Sequence, residues 1–168
     1  GVVSATFDNY DETVIDLLSD EYKAFEPFPV GRLDKDTHGL LLITNDGELN
    51  HKLLAPKSHV DKVYYAEIDL AVDESDVLEF EKGVILDDGY ECLPAELKIL
   101  SANEDGSKVE VTIREGKFHQ VKKMFISLGK EVVYLRRVRF GSLIIDESLD
   151  EGDYRELTAE EISGLKNN

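Results

Sequence analysis

The order of apolar patterns along the chain most constrains its fold, because strand-like and helix-like segments follow one another without a regular rhythm. Alternation of apolar and polar residues predicts strands at Lys62–Leu70 and Lys108–Arg114. Helical spacing and capping residues predict helices at Glu74–Lys82 and Phe118–Leu128. Since strand–helix–strand units do not repeat, the pattern favours an α+β fold with a largely antiparallel sheet.

Further elements complete the predicted architecture. They are a short helix at Thr13–Ser19, a buried strand at Gly39–Thr44, a helix at Glu48–Leu54, strands at Ala95–Leu100, Val132–Phe140 and Leu143–Ile145, and a terminal helix at Ala159–Leu165. Gly83 and Gly129 follow predicted helices as C-terminal caps, and Thr158 is a predicted N-cap. The length of 168 residues fits one domain, or one unit split into two lobes around a cleft.

The distribution of charge indicates the kind of partner. The chain carries 19 basic and 36 acidic residues, and this net charge of −17 would repel a nucleic acid if it were spread evenly. Between Val111 and Phe140, eight basic residues against two acidic ones give +6, which leaves −23 for the remainder. This basic segment is typical of a protein that binds a polyanion at one place, although a solvated helix face would produce it too.

Apolar runs and cysteine content narrow the cellular context. No run approaches the roughly 20 apolar residues that cross a bilayer, and the first residues lack the regions of a secretion signal. We therefore expect a cytoplasmic protein with no membrane partner. Cys92 is the only cysteine, so we expect neither an internal disulfide nor a thiolate metal cluster.

A dense group of charged residues, 31–39, overlaps the start of the predicted buried strand. In an extended segment Arg32 and Asp34 point the same way, which makes them candidates for a site. A solvated acidic turn explains the group equally well. A metal site built on Asp34, Asp36 and His38 would lack the glycine and distal carboxylate of a calcium loop, so we predict no metal.

Two other segments carry candidate binding residues. The apolar face of the helix predicted at Phe118–Leu128 places Lys123 on the opposite side and Lys122 at the edge. An ammonium at such an edge reaches water or pairs with a carboxylate. In the predicted strand, Tyr64 and Tyr65 point to opposite faces, so one packs in the core and the other offers a surface on which a base can stack.

The charged group is the start of a longer motif, residues 31–47, which reads Gly-Arg-Leu-Asp-Lys-Asp-Thr-His-Gly-Leu-Leu-Leu-Ile-Thr-Asn-Asp-Gly. This motif closely resembles the signature of the RsuA/RluB type of ribosomal RNA pseudouridine synthase. Lys62–Tyr64 is similar to the family's Lys-x-Tyr motif, and Glu115–Met124 to its third motif. Leu135–Gly141 and Gly152–Ile162 resemble the family's ending, so the similarity spans nearly the whole chain.

The resemblance implies a pseudouridine synthase fold, with a mixed sheet in two lobes around a central active-site cleft, and residues 1–168 as the catalytic domain. It also implies a reaction without a cofactor, in which a uracil is detached from its ribose, rotated and rejoined through carbon. Asp34 would be the nucleophile or base, with Arg32 beside it. Tyr64 would stack on the target base, and Lys122 would pair with the Asp34 carboxylate.

The basic segment would then contact the RNA backbone. Its candidate residues are Lys117, Lys123, Arg136, Arg137 and Arg139. Because neighbours on a strand point to opposite faces, only part of the arginine cluster can face one ligand. The expected partner is ribosomal RNA, bound by a monomer.

Within the family, Ala55–His59 and Phe118–Met124 resemble the small-subunit (16S) branch represented by RsuA, so we expect small-subunit RNA or an assembly intermediate as substrate. A large-subunit (23S) enzyme and an inactive RNA-binding or ribosome-assembly protein are alternatives. A two-carboxylate glycosidase would need a second acid near Asp34, for which Asp36 is the sole candidate. Family members usually carry an S4-like RNA-binding module before the catalytic domain, and the 168 residues do not include it.

Overall fold

The computed structural model describes residues 1–167, which form two compact units. In chain order the elements are α1 (Asp20–Lys23), β1 (Phe28–Pro29), β2 (His38–Gly39), β3 (Ile43–Thr44), α2 (Gly47–Leu54), a 3₁₀ helix (Pro56–Ser58), β4 (Lys62–Ile68), α3 (Glu74–Lys82), β5 (Glu96–Asn103), β6 (Gly106–Ile113), α4 (Gln120–Ser127), β7 (Val132–Phe140), β8 (Leu143–Ile144) and α5 (Ala159–Lys166). Unit 1 comprises residues 1–60 and the described chain from Arg139 onward, and unit 2 comprises Asp61–Val138. The predicted α+β composition in two units is confirmed.

Unit 2 is built on a sheet with the strand order β7-β4-β6-β5. Strand β6 pairs antiparallel with β4 on one side and with β5 on the other. The hairpin between β5 and β6 closes at Asn103 and Gly106. Gly106 has a φ of 143°, and a Cβ at this position would lie 2.6 Å from the Ile68 carbonyl oxygen at the end of β4. This turn therefore requires glycine for both its conformation and its close approach to β4.

The core of unit 2 lies where α3 and α4 pack together with the sheet. Phe80 of α3 and Phe125 of α4 are fully buried, with ring centroids 5.0 Å apart. They belong to one apolar cluster with Val109 and Val111 of β6. Burying side chains of this size contributes about 1.5–3 kcal/mol each, so this cluster is a main source of the unit's stability.

Helix α3 begins and ends where the sequence predicts. A capping box at its start joins Asp73 and Asp76, whose side chains each accept a hydrogen bond from the other's backbone N–H. The helix ends before Gly83, at φ 94°, where a Cβ would lie 2.4 Å from the Cys92 carbonyl oxygen. Asp76 is also buried and accepts a hydrogen bond from the Lys130 ammonium at 3.2 Å. The Asp76 carboxylate thus completes the capping box of α3 and ties this helix to the segment before β7.

Unit 1 combines short strands with the helices α1, α2 and α5 and the 3₁₀ helix. Strand β1 pairs antiparallel with β3, and the last two residues of β7 pair with β8. Helices α2 and α5 are held by one apolar cluster, whose buried residues are Val30, Leu42, Leu49, Leu53, Val60, Phe140, Leu143 and Leu165. The predicted N-cap of α5 is confirmed, because Thr158 forms a capping box with Glu161.

Two predicted elements of unit 1 are wrong. Thr13–Ser19 forms turns rather than a helix, because the Asp16 N–H donates to the Thr13 carbonyl oxygen and the Leu18 N–H to the Ile15 carbonyl oxygen, each three residues back, which gives single turns. Gly39–Thr44 is not one continuous strand, since only its ends belong to strands β2 and β3. Its apolar residues still contribute to packing, and Leu42 is buried in the unit 1 core.

None of the helices in residues 1–167 has the length and apolar character that a membrane span requires.

Candidate active site

The segment around Asp34 is fixed in unit 1 by a serine from the beginning of the chain. The Ser4 hydroxyl accepts a hydrogen bond from the Leu33 N–H at 3.0 Å and donates one to the Leu33 carbonyl oxygen at 3.2 Å. On the other side, the Asp34 carbonyl oxygen accepts a hydrogen bond from the Thr37 N–H at 2.9 Å. Both sides of Asp34 are therefore anchored, while Asp34 itself is half-buried.

Ser4 is held in place by its own neighbours. It is only 5% exposed, and the preceding Val3 forms a parallel bridge with Thr13. The Val3 N–H donates to the Glu12 carbonyl oxygen at 2.9 Å, and the Val14 N–H donates to the Val3 carbonyl oxygen at 3.0 Å. The hydroxyl thus reaches Leu33 from a rigid segment, which makes Ser4 a support for the loop that carries Asp34.

We expect Ser4→Ala to lower the free energy of unfolding by about 1–3 kcal/mol, because it removes two hydrogen bonds and leaves the partly buried Leu33 groups unsatisfied. Urea denaturation measures this loss. Ser101→Ala, at an exposed position on β5, is the matched control and should change stability by less than about 0.5 kcal/mol. Equal stability of the two variants would show that the Ser4 hydroxyl does not secure the loop.

Charged residues surround this loop within unit 1. Arg32 is exposed, and Lys35 forms an ion pair with Asp11, Nζ to Oδ1 3.1 Å. The backbone N–H groups of Tyr10 and Asp11 lower the pKa of Asp8, and Lys35 and Arg32 lower it further by smaller amounts. Arg32 and Lys35, which flank Asp34 in sequence, thus both lie close enough to Asp8 to favour its charged carboxylate.

The alternative metal site on Asp34, Asp36 and His38 requires these three side chains to lie together, and two of them have other surroundings. His38 lies against Glu151, with Nδ1 2.6 Å from Oε1, and Asp36 is exposed. Within residues 1–167, no three His, Cys, Asp or Glu side chains are grouped so that they could hold a metal ion. The geometry thus gives no support to a site built on Asp34, Asp36 and His38.

In unit 2, strand β4 separates its two tyrosines as the alternation predicts. Tyr64 is half-buried and packs against the unit 2 core. Tyr65 points to the other face, where its ring lies 6.0 Å from that of Tyr134 and its hydroxyl donates to Glu67 at 2.8 Å. Desolvation and the Glu67 carboxylate raise the pKa of Tyr65 to about 12. Tyr65 is thus engaged in contacts with Tyr134 and Glu67, so Tyr64 is the better candidate for binding a ligand.

Helix α4 begins later than predicted. His119 has a φ of 52°, which is outside the helical region, so the first helical residue is Gln120. Phe118 consequently lies before the helix and is 71% exposed instead of joining the apolar face. Lys122 is half-buried next to the buried Val121, in agreement with its predicted position at the edge of that face.

The basic segment does not present all of its arginines to solvent. Arg139 is exposed and Arg136 half-buried, but Arg137 is only 2% exposed. The contact of Arg137 with the RNA backbone stays a prediction, and this burial does not favour it, because a buried guanidinium is poorly placed to meet a phosphate at the surface. Arg137 is buried because side chains alternate along a strand, and both Leu135 and Arg137 point to the buried side of β7.

Sequence reasoning gave no electrostatic role to Lys62, which precedes Tyr64 by two positions on the same face of β4. Burial lowers the pKa of the Lys62 ammonium, the Arg137 guanidinium lowers it further, and Glu115 opposes these effects. Glu115 also accepts hydrogen bonds from the Tyr90 hydroxyl and the Leu93 N–H. Lys62 thus lies in a cluster of charged residues of unit 2 together with Arg137 and Glu115. Its position two residues before Tyr64 is the feature of the sequence that could have identified it.

Of the four predicted site residues, Arg32 and Asp34 belong to unit 1, and Tyr64 and Lys122 belong to unit 2. Residues 1–127 match the model of a known family, described as RNA pseudouridylate synthase. The chain belongs to this family. The prediction from the resemblance is thereby confirmed at the level of family and enzyme class, which is that of an isomerase.

Individual relatives agree with this assignment. The chain is 48% identical over 162 residues to an uncharacterized RNA pseudouridine synthase, YtzG, of Bacillus subtilis strain 168, covering 96% of the chain and 68% of the relative. It is 40% identical over 166 residues to the ribosomal small subunit pseudouridine synthase A of Vibrio cholerae, covering 98% of the chain and 70% of the relative.

A solved structure confirms the predicted fold. The crystal structure of a pseudouridylate synthase superimposes with a TM-score of 0.90 at 37% sequence identity. The match covers 98% of this chain and 69% of the other. The fold prediction that rested on the motif at residues 31–47 is therefore correct for nearly the whole chain.

Proposed function

We propose that this chain converts one uridine of small-subunit ribosomal RNA into pseudouridine, and that residues 1–168 form the catalytic domain. The observation that carries the proposal is the anchored, half-buried Asp34 within the motif at residues 31–47. The small-subunit substrate is favoured by the 40% identity, over 98% of the chain, to a relative named for the small ribosomal subunit. We also propose a cytoplasmic location, because the proposed substrate is ribosomal RNA or an assembly intermediate.

In the proposed reaction Asp34 is the only carboxylate that acts on the substrate. The bond between uracil N1 and ribose C1′ breaks, the base rotates, a bond forms between C5 and C1′, and the C5 proton is lost while N1 gains one. Atoms and electrons balance without an added oxidant, reductant or cofactor. Asp34 either attacks C1′ or removes a sugar proton, and an ionised carboxylate is required for both routes.

The other site residues are proposed to bind and orient the uridine. The target base must leave its stack at a cost of a few kcal/mol, which stacking on Tyr64 offsets. Lys122 is proposed to pair with the Asp34 carboxylate and hold it in one orientation. Arg32, two residues before Asp34 and exposed, is proposed to contact a phosphate of the same nucleotide.

Contacts to the RNA backbone are proposed for the accessible part of the basic segment. These residues are Lys117, Lys123, Arg136 and Arg139. We propose that the chain acts as a monomer, because a net charge of −17 disfavours association with a second copy.

Mapping of pseudouridine in ribosomal RNA from cells that lack the gene tests the proposal. We expect one missing pseudouridine in 16S RNA, restored by the parent gene and not by its Asp34→Asn variant. A site missing from 23S RNA would instead identify a large-subunit enzyme. Unchanged pseudouridine in both RNAs would contradict the proposed function.

A further inference from the structure

The exposure of the Phe118 side chain is not explained by the packing of unit 2. It lies in the loop before α4 and is 71% exposed, although a phenylalanine is stabilised by burial. Its ring is parallel to the imidazole of His119, with centroids 3.7 Å apart and an interplanar angle of 18°. The two rings form a flat aromatic stack at the surface, which we call the Phe118 stack.

Positive charge borders the Phe118 stack. The Lys123 ammonium lies 5.1 Å from the centroid of the Phe118 ring. Lys117 is exposed, with its ammonium 4.6 Å from the centroid of the Tyr90 ring. The nearest acidic residue in sequence, Glu115, already accepts hydrogen bonds from Tyr90 and Leu93. An aromatic surface beside cations suits a ligand that has both a flat ring and a negative charge.

We propose that the Phe118 stack binds an unpaired nucleobase of the RNA, at a position separate from the target uridine. The proposal rests on the proposed function only in assuming that RNA is the ligand. A base stacks on an aromatic ring whatever its sequence, and its phosphates would lie near Lys117 and Lys123. Asp87 and Asp88 line a depression together with Lys123, and their carboxylates repel phosphate there, which favours a phosphate position near Lys117.

Charge complementarity favours RNA over a second copy of this chain as the occupant. Outside the basic segment the chain carries −23, so another copy would approach as a polyanion without a flat base to stack. A single-stranded nucleic acid supplies both the negative charge and the ring.

The test measures binding of a uridine-free single-stranded RNA of about ten nucleotides, on which no isomerisation can occur. We expect Phe118→Ala to weaken binding about 5- to 100-fold and Phe118→Tyr to bind within about twofold of the parent. Phe7→Ala is the matched control, because Phe7 is a 75% exposed phenylalanine outside the basic segment. It should bind as the parent does.

Salt dependence separates stacking from charge. Phe118→Ala should keep the parental slope of log affinity against log salt, whereas Lys123→Ala should lower it by about 0.7. Parental affinity in Phe118→Ala, a loss no larger than in Phe7→Ala, or no binding by the parent at low salt would overturn the proposal. So would sedimentation data in which Phe118→Ala converts a dimer to a monomer. An inactive parent enzyme that still loses RNA affinity in Phe118→Ala would refute only the proposed function.

Discussion

Asp34→Asn is expected to reduce isomerisation by about 10³-fold or more, because the neutral amide neither attacks a sugar carbon nor accepts a sugar proton. The two side chains have nearly the same shape, so the fold and the hydrogen bonds of Ser4 to Leu33 should persist. The free energy of unfolding should stay within about 1 kcal/mol of the parent. Release of tritium from RNA labelled at uracil C5 measures the reaction, since the C5–H bond must break.

The matched control for this prediction is Asp36→Asn. Asp36 is exposed and two residues away, and it has the same chemistry in a position for which we propose no catalytic role. Its activity should stay within about threefold of the parent, as expected for a surface change. Isomerisation by Asp34→Asn within tenfold of the parent would remove Asp34 from the mechanism. Equal loss in both variants would indicate a general effect of charge on RNA binding.

Asp76→Ala is expected to destabilise unit 2 by about 3–5 kcal/mol. The substitution removes the Asp76 half of the capping box, whose carboxylate accepts the Asp73 N–H, and leaves the Lys130 ammonium, whose side chain is only 15% exposed, without its carboxylate. Removing one partner of a buried pair costs far more than the net stabilisation of the pair, because the remaining charge is desolvated and uncompensated. Urea denaturation at neutral pH measures the loss.

Two further variants make this prediction specific. Glu79→Ala breaks an exposed pair with Lys82 on the same helix, so it should cost less than about 0.5 kcal/mol. Adding Lys130→Met to Asp76→Ala removes the uncompensated charge and should recover part of the loss. A cost for Asp76→Ala no greater than that for Glu79→Ala would mean that the buried pair does not stabilise the fold.

The sequence predicted best the elements that have local chemical signals. Strand β7 has the predicted bounds, and α3 ends at Gly83, where both a positive φ and a close carbonyl require glycine. Periodicity failed where one backbone angle decides the outcome. Phe118 fits the helical spacing, but the left-handed conformation of His119 excludes it from α4. The apolar run Gly39–Thr44 does contribute to the core, where Leu42 is buried and Leu40 packs against the cluster, but the run did not show that its backbone fails to form one strand.

The candidate site shows the same division. The motif predicts Arg32 and Asp34, because their chemistry is visible in the residue types themselves. Ser4 could not be found, since its hydrogen bonds to Leu33 span 29 residues and leave no pattern in the sequence. The burial of Arg137 was equally hidden, because alternation separates the faces of a strand without identifying which face meets the core.

The close contact at Gly106 bears on the order in which unit 2 assembles. The β5–β6 hairpin joins residues that are near in sequence, so closing it costs little chain entropy and can occur early. Strand β4 must close a much longer loop before it pairs with β6. Because the missing Cβ of Gly106 makes room for the end of β4 at Ile68, this glycine serves the later step as well as the turn. A bulkier residue there would strain the turn of the hairpin and would also hinder the pairing of β4 with the sheet.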